Sequence, residues 1–173
     1  METTRNTLTS EQKRILDGLS DYLDIKLFYY GSIQRPDYIS GKSDIDVDIF
    51  TDNESSTISK LSHYLHIDKH KVKKILWKVR NHSKLVSGYK IKYESDYLNA
   101  EFSIYSDQYK KYVLEEHNSK VDFPFYFTWI LNILKFLYYE LNILPKETFA
   151  FLKNKTINFA VGLTKDDIFI TYR

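Results

Sequence analysis

Asp44, Asp46 and Asp48 alternate with Ile45, Val47 and Ile49 in one short run, and Tyr30-Gly31-Ser32 stands upstream, across the eleven residues Ile33 to Ser43. On a strand, alternate side chains share a face, so the three acids point one way and the aliphatics point into a core. Like charges crowded on one face repel unless a cation sits between them. Hard oxygen donors on a rigid strand suit Mg2+, which takes one or two carboxylates, keeps waters and draws its other ligands from phosphates. The chemistry implied is the binding of a divalent ion that also takes a substrate's phosphates. The competing reading is an exposed edge strand whose acids serve solubility. It leaves the Gly-Ser turn without a purpose.

Leu27-Phe28-Tyr29-Tyr30-Gly31-Ser32 followed by Ser43-Asp44-Ile45-Asp46 resembles the signature of the nucleotidyltransferase superfamily. That group contains DNA polymerase β, poly(A) polymerases, oligoadenylate synthetases and small antitoxin-type members. The resemblance covers Ile25 to Tyr105 and, more loosely, Phe123 to Phe149. It implies an α/β (α+β) fold with a small twisted mixed sheet flanked by helices. It also implies a catalytic core over 1–120 and a helical C-terminal part over 121–173.

The implied activity moves a nucleoside monophosphate from a nucleoside triphosphate, ATP by analogy, to a hydroxyl of RNA, protein or a small molecule. Asp44 and Asp46 would hold two Mg2+ or Mn2+ ions about 3.5–4 Å apart. The family carries a third acid on a neighbouring strand, usually Asp, and Glu101 in Asn99-Ala100-Glu101-Phe102-Ser103-Ile104-Tyr105 is the candidate here. Its competing reading is an exposed strand Glu. Asp48 lies about 6.5 Å beyond Asp46 along the strand and is read as a supporting residue. Gly31 leaves room for the triphosphate, and Ser32 offers a hydroxyl and an amide to phosphate oxygen.

Positive charge for the phosphates has three candidates: Lys135 on an apolar helix resembling one in poly(A)-polymerase-type members, and Arg35 and Lys42 in the motif loop. Lys135 needs either an aqueous cleft or a route to solvent from a core helix. An inactive relative, kept as a binding or regulatory module, is the rival from another functional class.

These side chains need a scaffold, and the chain has material for one. It has 173 residues, 43% of them hydrophobic, with 15 Tyr and 11 Phe, enough for one strongly aromatic core. Its net charge of +2 is too mild to argue for nucleic acid. The absence of Cys excludes disulfides and thiolate chemistry and agrees with a reducing compartment. Met1-Glu2-Thr3-Thr4-Arg5 has no apolar signal region, so a cytoplasmic location is expected. The five His lack paired ligand spacing and are assigned no metal.

A capping box, Thr9 with Gln12, opens a helix with Ile15, Leu16, Leu19, Tyr22 and Leu23 inward. Pro36 and Gly41 break the chain between the two motif strands. Asp52 to Ser56 reads as a turn and cap for a helix carrying Ile58, Leu61 and Leu65. Val72, Ile75, Leu76 and Val79 predict a second helix over 69–80, whose cationic face is either solvated or a track for nucleic acid. Strands are expected over 89–93, 98–105 and 168–172, with helices elsewhere. Phe123 to Leu144 is apolar, but Asn132, Lys135, Glu140 and Asn142 argue against a membrane span. The helix is expected in the core, or covering its face in a homodimer.

Overall fold

The computed structural model describes residues 1–79, 82–121, 124–160, 162 and 169–172. Helix α1 (Ser10–Leu23) starts at the Thr9–Gln12 capping box, in which each side chain meets the other residue's amide. Strand β1 (Leu27–Tyr30) follows and runs straight into a tight turn, Gly31–Gln34. Strand β2 (Ile45–Thr51) leads to α2 (Glu54–Tyr64), capped by Asn53, whose side-chain oxygen accepts from the Ser56 amide at 3.0 Å. Strands β3 (Lys73–Val79), β4 (Lys84–Glu94) and β5 (Asn99–Ser106) form a meander. Helices α3 (Lys110–Asn118), α4 (Phe125–Tyr139) and α5 (Lys146–Ala160) come next, before β6 (Phe169–Tyr172).

Among the described residues, six strands make one mixed sheet, ordered β1-β2-β5-β4-β3-β6, in which β2 and β5 are the one parallel pair. One face carries Leu27, Tyr29, Ile45, Val47, Ile49, Phe102 and Ile104, packed under α1 and α2 in the main core. The other face divides in two. Its inner part is a smaller aromatic cluster of Phe28, Phe50, Trp77 and Tyr105 around Val113 of α3, which absorbs part of the Tyr and Phe excess. Its outer part carries the acids.

The helix expected over 69–80 is corrected: Lys73–Val79 is a strand, central between β4 and β6. Ile75, Trp77 and Val79 are buried, alternating with Lys74, Leu76 and Lys78 on the other face. A two-residue period carried by β-branched and aromatic side chains outweighs the helical spacing of Val72, Ile75, Leu76 and Val79. Strand β4 begins five residues before the expected Tyr89. Of the expected last strand, Ile168 lies outside the described residues. Among the described residues no helix is long and apolar enough to cross a membrane.

Candidate active site

Strand register brings the acids together. Asp46 pairs with Tyr30 on one side and Glu101 on the other, so Asp46 and Glu101 are cross-strand neighbours on one face. Asp44 stands one residue before β2, its backbone oxygen accepting the Ser32 hydroxyl at 3.1 Å. That hydrogen bond ties the Gly-Ser turn to the acidic strand. Asp44, Asp46 and Glu101 line one cleft of about 310 Å³ with Ser32, Arg35 and Lys92, closed over by Lys153, Asn154 and Ile157 of α5.

Asp46 bears the strain of the arrangement. Its desolvation, with the Glu101 charge next to it, pushes its carboxyl up to about 7. Glu101 itself holds Lys90 through Oε1, 2.7 Å from the ammonium. Asp48 belongs elsewhere: it is fully buried and bonded through Oδ2 to His117 Nδ1 at 2.7 Å. The His117 ring lies stacked between Tyr30 and Trp77.

Gly31 adopts φ +70, and a Cβ there would collide with Asp46 Oδ2. The glycine is therefore required by Asp46 as well as by the turn. Gly31→Ala is expected to cost about 1–2 kcal/mol of stability for the left-handed backbone. Displacing Asp46 should lower any transfer rate roughly a hundredfold. Thermal melts and turnover of the same variant separate the two effects.

The three cations expected near phosphate are held by acids. Lys135 is buried, with its ammonium 3.0 Å from Asp37 Oδ2 and 3.1 Å from Ser43 Oγ, and it also donates to the Asp37 carbonyl. Arg35 lines the cleft while its Nε meets Asp37 Oδ1 at 2.8 Å. Burial alone would raise the Asp37 carboxyl, but Arg35 and Lys135 outweigh it and hold it below its ordinary value. Burial lowers the Lys135 ammonium, partly offset by Asp37. Lys42 is exposed and pairs with Glu140 beyond the end of α4.

The donor chemistry fits a hard divalent ion, since oxygen ligands face one cleft and burial with the Glu101 charge outweighs Lys153 and Lys90 at Asp46. Among the described residues, no three His, Asp or Glu side chains are drawn close enough to form a ready-made metal cage.

The model of the nucleotidyltransferase domain family matches residues 11–117, which span α1 to α3 and every acid of the cleft. The chain belongs to the nucleotidyltransferase domain family. No curated protein sequence matches it. Among solved structures, the conserved protein GrpB from Enterococcus faecalis aligns at TM-score 0.52 and 13% identity, over 88% of this chain and 91% of that one. At 14% identity, the CdnE cyclic dinucleotide synthase of Elizabethkingia meningoseptica aligns at 0.43, over 96% and 76%. The RNA terminal uridylyl transferase Cid1 aligns at 0.40 and 11%, over 76% of this chain and 41% of its own. The likeness to GrpB carries the fold alone.

At the cleft of this nucleotidyltransferase family member, sequence reasoning overlooked Lys92, Lys153 and Asn154. Lys92 had a local signal, standing opposite Glu101 in the β4–β5 pairing. Lys153 had none: it lies on a helix beyond the matched segment, and only the tertiary fold turns it toward Asp46.

Proposed function

We propose that the chain is a metal-dependent nucleotidyltransferase, moving a nucleoside monophosphate from a triphosphate, ATP first among them, to an acceptor hydroxyl. The observation that carries this reading is the cleft itself, with three carboxylates on one wall and Lys153 on the facing helix. Phosphoryl chemistry asks a protein for positioning and charge neutralisation above all. Asp44 and Asp46 would hold Mg2+, with Glu101 beside them. The ion, when bound, supplies charge neutralisation on the triphosphate and acidifies the acceptor hydroxyl.

Lys153 faces the cleft as the cation for the β- and γ-phosphates, a task for which Lys135, Arg35 and Lys42 were the expected candidates. Lys92 lines the same cleft but pairs with Glu94 at 2.6 Å. Ser32 keeps Asp44 in place through its carbonyl. Glu101 is positioned to accept the proton as the acceptor oxygen bonds to the α-phosphorus and the α–β bridging bond breaks, releasing pyrophosphate. The acceptor is RNA, a protein or a small molecule.

A second reading, an inactive binding module, draws on one observation: Glu101 is already engaged by Lys90. Labelled triphosphate offered with RNA, protein and small-molecule acceptors separates the two. Metal-dependent incorporation with pyrophosphate release is expected. A Lys153→Ala variant should raise KM for the triphosphate roughly tenfold to a hundredfold, the worth of one charge-assisted contact, with kcat changed less. An unchanged KM would remove Lys153 from the site, and binding of nucleotide without turnover on any acceptor would leave the module.

A further inference from the structure

Helix α4 is apolar on both sides. Phe127, Leu131, Leu134 and Lys135 point inward and are buried. Phe125, Tyr126, Trp129, Ile130, Ile133 and Phe136 point outward, between 42% and 77% exposed. At 100° per residue, these six fall within an arc of about 140°, a continuous stripe along about three turns. Together they present roughly 700 Å² of mostly apolar surface. A monomer seldom leaves an apolar patch beyond a few hundred Å² in water.

We propose that this stripe is the contact between two copies of the chain, α4 against α4 about a two-fold axis. Area supports it: a standard interface takes about 800 Å² from each partner, and the stripe alone offers most of that. Charge supports it as well. From Phe125 to Tyr139 the one charged residue is Lys135, which is turned inward onto Asp37, so the exposed face is neutral. A charged partner finds nothing to grip there, whereas a second identical face meets no like charge. Apposed about a two-fold near Ile130 and Ile133, the stripe is self-complementary, with Trp129 as the largest anchor. The inner side of the same helix holds Asp37 and Ser43, at either end of the loop that delivers Asp44. The dimer contact therefore braces the helix on which that loop rests.

Sedimentation equilibrium of the full chain from about 1 to 100 μM should give a dimer with a low-micromolar dissociation constant. Trp129→Glu combined with Ile133→Glu should weaken it at least tenfold, with far-UV circular dichroism retained because both side chains are exposed. Since the chain has no Cys, Ile133→Cys introduces a lone thiol, and mild oxidation should capture it as a disulfide-linked dimer. Leu85→Cys, equally exposed on β4, should not couple. A wild-type chain monomeric at 100 μM overturns the proposal, and another protein or a further segment then covers the stripe. A dimer that survives the double substitution, or Leu85→Cys coupling as fast as Ile133→Cys, overturns it equally, even should the double variant fail to fold.

Discussion

Asp46→Asn is expected to lower nucleotidyl transfer about a thousandfold or more while leaving the fold intact, because it removes charge where the triphosphate must be neutralised. The same substitution should stabilise the metal-free protein at pH 8. The sign follows from the Asp46 carboxyl, which titrates about 7 in the folded chain against an ordinary 3.8. Below about pH 4 folded and unfolded chains both carry the proton, and the group is neutral to stability. Between about 4 and 7 the unfolded chain releases it while the folded chain retains it, so stability falls as pH rises. Above 7 the loss is complete.

Full burial would make that loss several kcal/mol, but the Asp46 side chain is only partly covered, so about 1–2 kcal/mol is expected. Melts from pH 5 to 8, with and without Mg2+, test it. The wild type should lose stability across that range and recover it with metal at the upper end. The Asn variant should show a flatter profile and no response to metal. A wild-type curve as flat as the variant's would remove Asp46 as the charge-starved centre of the cleft.

How far the site was legible can be seen residue by residue. Gly31, Ser32, Asp44 and Asp46 were readable because their spacing is local and strand periodicity sets the direction of each side chain. Glu101 was readable because the family resemblance asks for a third acid and strand alternation sets it opposite Ala100, Phe102 and Ile104, which are buried on the other face. Helix α1 announced itself through its capping box. Strand β3 did not, because Val72, Ile75, Leu76 and Val79 satisfy a helical period while Ile75, Trp77 and Val79 satisfy a strand period. What decided between them was pairing with β4 and β6, a tertiary fact. His117 beneath Asp48, and Lys153 over the cleft, are likewise products of chain segments distant in sequence. The direction of Lys135 belongs to the same class. A lysine on an apolar helix announces that it needs a partner, and nothing local names Asp37, 98 residues away.

That buried group sets up an inversion of the usual expectation for a lysine. Arg35, Asp37 and Lys135 place two cations around one carboxylate, all three at most 6% exposed. Asp37→Asn leaves the Lys135 ammonium in the interior without its counter-charge, and beside Arg35. Breaking a buried pair in this way costs about 3–5 kcal/mol, which for a chain of this length lowers Tm by roughly 10 °C. Lys135→Met removes charge and leaves Arg35 and Asp37 as a neutral pair. Its losses are the hydrogen bonds to the Asp37 carbonyl and Ser43 Oγ, about 1–3 kcal/mol, part of which the packed Met side chain returns. The acid should therefore outrank the lysine in Tm, and neither should alter KM for a triphosphate more than Lys153→Ala does. Were Lys135 instead a phosphate ligand, the order would reverse, with Lys135→Met sparing Tm and raising KM. Melting curves and triphosphate saturation on these three variants decide whether Lys135 holds the loop or the substrate.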